Sequence, residues 1–222
     1  MMCHKQLVNS FLGLALLTMS SLGYSASNAS AIKEGKQLFE MNCMACHQAD
    51  AIGKVGFAPS LTNKELLSVA TDKFFMSTIR DGREGTGMPP FFHLGKKKIK
   101  SIVSYLRSFE KLPYRGKEID AQPESYGDAR KGKLWFVQVC ESCHGINGEG
   151  YGTGVVGPAI GKPGFLNKVS DGFIRTTIKE GRSNTRMHGF SGPQGLADLA
   201  DSEIEDIVAF LRSLKTSQRK RR

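Results

Sequence analysis

No stretch of this sequence supplies the roughly 18 consecutive apolar residues that a membrane-spanning helix needs. The apolar segment from Leu7 to Met19 is interrupted by Asn9, Ser10 and Thr18, which argues against an anchor. With Lys5 ahead of it and small residues from Ser20 to Ala31 behind it, it reads as a secretory signal over residues 1–29, with cleavage after Ser25, Ala29 or Ala31. Cysteine is scarce: there are five. Cys3 lies before the apolar segment, where a lipoprotein acylation site would not be, and is lost on cleavage. The other four fall in two short motifs and leave no thiol over. No strand-period pattern competes with the helical one. Acidic residues are also in the minority, 21 against 31 Lys and Arg, giving a formal charge of +10. Export takes the chain away from the chromosome and sets nucleic acid aside as a partner.

A length of 222 residues suits two small domains better than one large enzyme. Domains of that size have thin cores and often depend on a disulfide, metal or cofactor. The chain repeats itself, which means one structural unit has been copied. Gly35, Lys36, Phe39, Cys43, Cys46 and His47 recur 97 residues later as Gly132, Lys133, Phe136, Cys140, Cys143 and His144. Beyond the histidines the offset is 99: Pro59 aligns with Pro158, residues Thr78 to Arg83 with Thr177 to Arg182, and Met88 with Met187. At an offset of 105, Ile102 to Ser108 align with Ile207 to Ser213. Five segments follow: a signal at 1–29, a first domain at 30–111, a linker at 112–127 with two prolines and two glycines, a second domain at 128–216 and a basic tail at 217–222. The tail, without an apolar side chain, is expected to order only on an anionic surface.

Both copies read as helical. Ile99, Ile102, Val103 and Leu106, and again Ile204, Ile207, Val208 and Leu211, follow the i, i+3, i+4, i+7 spacing of an amphipathic helix. Ser202 followed by Glu205 predicts a capping box at the start of the second of these helices. In the opening helices, Gly35 and Phe39, and Gly132 and Phe136, share a face on which a small residue lets another helix cross closely.

Cys43 to His47 and Cys140 to His144 have the form Cys-x-x-Cys-His. Two thiols on one helical turn can form thioethers with the two vinyl groups of a haem while the adjacent imidazole reaches the iron. Zinc and dithiol redox chemistry are the alternatives, but a closed zinc site needs four protein ligands and a redox pair does not need the histidine. For the sixth iron position, Met88 lies in a glycine- and proline-rich loop suited to presenting a side chain. Met187 is the one methionine of the second domain and aligns with it. His93 and His188 compete for that position, since imidazole is a capable iron ligand.

From residue 31 to 214 the chain resembles the tandem class I c-type cytochromes. The resemblance implies an all-α architecture of two tandem cytochrome c-like domains, each wrapped around a covalently bound haem c. It implies that the carbonyls of Pro59 and Pro158 orient the proximal histidines. It also implies that Gly35 and Phe39 cross Tyr105, and Gly132 and Phe136 cross Phe210. The longer stretch after Met187 departs from the pattern. The expected function is single-electron transfer outside the cytoplasm, in the periplasm, between redox-partner proteins with acidic docking surfaces, because the first domain carries +5 and includes Lys96, Lys97 and Lys98. The basic tail could meet anionic membrane. The rivals are the electron-accepting subunit of a dehydrogenase and a dihaem enzyme with one labile ligand.

Overall fold

The computed structural model describes residues 28–193 and 195–219, so the signal-like segment before residue 28 and the last three residues of the tail lie outside it. Among the described residues the regular structure is helical, apart from an isolated bridge between Lys54 and Ala58. The first copy comprises α1 (28–42), α2 (Met44–His47), α3 (Lys64–Val69), α4 (Asp72–Asp81) and α5 (Gly95–Arg107). After α6 (Gly116–Asp120) the second copy repeats the order with α7 (Ala129–Val139), α8 (Glu141–His144), α9 (Pro163–Leu166), α10 (Asp171–Glu180) and α11 (Asp201–Arg219). Among the described residues no helix is long and apolar enough to cross a membrane.

Local chemistry sets the helix ends. Thr71 and Ser170 cap α4 and α10 through their hydroxyls, which accept from the Phe74 and Phe173 N–H groups at 3.2 and 3.1 Å. Both helices end at a glycine with positive φ, Gly82 at 67° and Gly181 at 70°. The expected capping box is not formed. α11 starts at Asp201, and it is Glu203 that reaches back to accept the Ala200 N–H at 2.8 Å. Glu205 is instead buried against Arg175.

The opening and closing helices of each copy cross at the glycines. A Cβ on Gly35 would lie 1.9 Å from the Ser101 carbonyl oxygen, and one on Gly132 would lie 1.8 Å from that of Asp206. Only glycine lets the backbones approach so closely. The aromatic partners then meet, with Phe39 and Tyr105 ring centroids 5.4 Å apart and Phe136 and Phe210 5.2 Å apart, both pairs tilted at 54°. The predicted apolar faces of α5 and α11 are buried, with Ile102, Ile204 and Val208 fully inside. Arg107 fastens α5 to the Leu67 and Ala70 carbonyls, and the aligned Arg212 fastens α11 to those of Leu166 and Val169.

The two copies share one continuous core. Phe74 and Phe173, equivalent at the offset of 99, stack on each other at 5.4 Å. Ser183 donates to the Glu65 carboxylate at 2.9 Å, and Gly164, equivalent to Glu65, comes close to Glu84, equivalent to Ser183. Equivalent residues facing one another define a pseudo-twofold, isologous interface within one chain. The linker is more ordered than its composition predicts. Arg115, just before α6, donates its N–H to the Ser68 carbonyl and makes a bidentate pair with Glu180, so it straps both copies. Helix α11 also runs three residues into the basic tail.

Candidate haem sites

In each copy the Cys-x-x-Cys-His motif forms a single helical turn continuing the opening helix. The Cys43 N–H donates to the Phe39 carbonyl at 2.8 Å and the His47 N–H to the Cys43 carbonyl at 2.9 Å. The second copy repeats this, Cys140 to Phe136 at 2.8 Å and His144 to Cys140 at 3.0 Å. The aromatic at the helix crossing thus holds the backbone of the first cysteine.

Both histidines are buried, at 8% and 7% exposure. Their Nδ1 atoms lie 3.0 Å from the Pro59 carbonyl oxygen and 2.9 Å from that of Pro158. A carbonyl can only accept, so Nδ1 carries the proton and Nε2 keeps its lone pair for a metal. Burial lowers the pKa of both rings below the ordinary value, opposed by the proline hydrogen bond and, at His47, aided by the charge of Arg83. Each ring is therefore neutral at neutral pH, the form that binds metal.

Two glycines back the proline loops. A Cβ on Gly53 would lie 2.6 Å from Pro59, and one on Gly150 would lie 2.2 Å from the Ala159 nitrogen and 2.6 Å from Pro158. They recur at an offset of 97, so the first alignment block extends past the histidines as far as Gly53 and the two-residue insertion falls between it and Pro59.

The methionine loops are also duplicated. The Arg83 N–H donates to the Met88 carbonyl at 3.1 Å, and the Thr86 hydroxyl accepts from the Met88 N–H at 3.2 Å. Arg182, Thr185 and Met187 make the same turn at 2.6 and 3.0 Å. Each methionine is half-buried at the tip of a tight turn, and Met187 packs against the core. His93 and His188 are exposed. In the departing stretch, the Leu196 and Leu199 N–H groups tie the longer loop back to the Gly189 and Phe190 carbonyls.

The first cysteine of each pair lacks the lowered pKa of a dithiol redox catalyst. Burial, with the charge of the neighbouring cysteine adding, pushes Cys43 up to about 11 and Cys140 up to about 12. Dithiol catalysts lower such values. Among the described residues no cluster of three or more His, Cys, Asp or Glu converges as a metal cage. A haem fits what is present. Thr78 Oγ1 and Arg83 Nε are buried polar atoms without a partner, both next to the first methionine turn. They suit a group that brings carboxylates of its own, while the two thiols and the free Nε2 suit its covalent attachment and its iron.

Fold and sites together define a c-type cytochrome domain present twice in one chain. Residues 30–106 match the family model of cytochrome c oxidase, cbb3-type, subunit III, and residues 129–215 match that of cytochrome c. The chain thus carries two cytochrome c-type domains in tandem, with two haem c groups. It is 30% identical over 195 residues to the cbb3-type cytochrome c oxidase subunit CcoP of Rubrivivax gelatinosus, covering 85% of this chain and 56% of the relative. It is 29% identical over 201 residues to subunit FixP of Bradyrhizobium diazoefficiens, covering 84% and 62%. The chain thus spans about three fifths of the length of the curated relatives it matches. A chain of the reducing HAO-like protein complex of Kuenenia stuttgartiensis has the same fold, with a TM-score of 0.50 and 18% identity over 82% of this chain and 95% of that one.

Proposed function

We propose that the chain is an exported dihaem electron carrier that works in the periplasm. Cys43 and Cys46, and Cys140 and Cys143, hold the haems through thioethers. His47 and Met88 would ligate the iron in the first domain, and His144 and Met187 in the second. When bound, each haem iron alternates between ferrous and ferric and so takes up and releases one electron. The protein's own part is placement and tuning. Pro59 and Pro158 fix the imidazoles, the threonine turns hold the methionines forward, and the apolar core favours the less charged ferrous state. The observation that carries this reading is the duplication of the whole hydrogen-bonded arrangement, from cysteine turn to methionine turn. With both axial positions filled, neither site is built to bind a substrate at iron.

The relatives named as subunits of a cbb3-type cytochrome c oxidase favour a second setting for the same chemistry, delivery of electrons to such an oxidase as a bound subunit or docking partner. The basic first domain suits acidic docking surfaces, and the basic tail suits anionic lipid.

An optical and redox titration of the purified protein tests the reading. Two c-type haems, the ferric absorption feature of methionine ligation at both, and indifference to cyanide and carbon monoxide are expected. A haem that lacks the feature and takes up these ligands would overturn the pure carrier role. Purification with or without an oxidase separates the two settings.

A further inference from the structure

Arg83 and Arg182 are equivalent in sequence, yet their side chains do different things. Arg182 stays in its own domain, donating to the Thr177 hydroxyl at 2.6 Å and the Gly181 carbonyl at 3.3 Å. Arg83 leaves its domain. It crosses the pseudo-twofold interface, lies 5.0 Å over the Phe165 ring and donates through a terminal nitrogen to the Ala159 carbonyl at 2.6 Å. Ala159 directly follows Pro158, whose carbonyl holds His144 Nδ1 at 2.9 Å. A first-domain guanidinium is therefore bonded one residue from the group that orients the second domain's histidine. In the other direction Lys168 donates to the Ser77 carbonyl at 2.6 Å and pairs with Asp81, on α4 and not on the loop of Pro59.

The geometry points to Arg83 as a positioning residue for the second haem, acting from the first domain. It holds the Pro158 and Ala159 loop, and through the Pro158 carbonyl the His144 ring, in register. The second potential then depends on the docking of the two domains, while the first does not depend on Arg182 in the same way. Desolvation lowers the Arg83 guanidinium only to about 10, so the charge persists at neutral pH. The inference rests on the dihaem reading above.

The test uses the full chain with both haems. Met88→His and Met187→His assign each couple to its domain by moving one at a time. Haem content is measured first: fewer than two haems per chain in the parent would sink the dihaem reading and this one together. With two haems present, Arg83→Gln, too short to keep the Ala159 bond, is expected to move the second-domain equilibrium about tenfold, about 59 mV for one electron. Arg83→Lys, which keeps a long side chain with a donor at its end, is expected to recover most of the shift. Phe74→Leu loosens the seam elsewhere, at its stack with Phe173, and is expected to leave the second couple in place. An unmoved second couple in Arg83→Gln would overturn this inference alone, as would an equal shift in Phe74→Leu.

Discussion

Replacing Gly35 with alanine tests the joint that carries the first haem site. The new Cβ would sit 1.9 Å from the Ser101 carbonyl oxygen and 2.9 Å from the Tyr105 Cβ. To reach an ordinary contact of 3.4 Å, α1 and α5 must part by roughly 1.5 Å, and the obstacle is backbone, which cannot rotate away. Overpacking of this kind costs about 1–3 kcal/mol, and the obstruction puts Gly35→Ala near the top of that range. Alanine returns about 0.5–1 kcal/mol through its better helix propensity. A net loss of about 2 kcal/mol lowers the melting temperature of a domain this small by roughly 8–16 °C. The parting also separates Phe39 from Tyr105 and, through the Phe39 carbonyl, moves Cys43. Thermal unfolding of the haem-loaded protein, followed by circular dichroism and by haem absorption, measures both effects. An unchanged or raised melting temperature would refute the reasoning, because helix propensity would then outweigh a crossing that the structure shows as closed to a methyl group.

Three further substitutions or conditions probe other joints. Gly150→Ala puts a Cβ 2.2 Å from the Ala159 nitrogen at a φ of 73° and is expected to shift the second couple and spare the first, as read by redox titration. Arg212→Ala strips the Leu166 and Val169 carbonyls and the Asp171 carboxylate of their shared partner and is expected to cost about 3 kcal/mol in denaturant unfolding. At Glu65 burial raises the pKa, but hydrogen bonds from its own backbone and from Ser183 outweigh it and leave the group lowered. A lowered carboxylate stabilises the fold above its unfolded pKa of 4.5 and loses that contribution as pH falls through its folded value. Protection of the Ser183 amide against exchange is therefore expected to be lost as pH falls below 4.5, and Glu65→Gln to abolish that acid step.

The repeat made most residues of each candidate site legible in the sequence itself. A Cys-x-x-Cys-His turn needs only local geometry, and the aligned methionines and prolines needed only a constant offset. The apolar spacing of α5 and α11 was equally plain, because one face of each is fully buried. What escaped were features decided by contacts distant in sequence. The linker's composition predicts a loop, yet Arg115 finds Ser68 on one side and Glu180 on the other, and that tertiary support is enough to form α6. Glu205 has the spacing for a capping box but is recruited by Arg175, because a buried carboxylate gains more from a guanidinium than from a helix end. Arg83 and Arg182 stood in the aligned block with nothing to distinguish them. Their divergence depends on whether a neighbouring domain offers a carbonyl, which no single-chain pattern records.

That divergence bears on why a duplicated cytochrome is more than two carriers in series. A perfect twofold would place both haems in equal surroundings and give them equal potentials, with no preferred direction for an electron between them. Here the interface keeps its symmetric frame, with Phe74 on Phe173 and Glu65 and Gly164 in matching contacts, and breaks the symmetry in the charged side chains laid across it. Asymmetry at the seam is an economical way to separate two potentials, since it alters one histidine's surroundings while leaving both cores and both sets of iron ligands unchanged. It also makes the separation conditional on docking. If the domains part, the Arg83 bond to Ala159 goes with them, and its share of the difference between the two haems is lost.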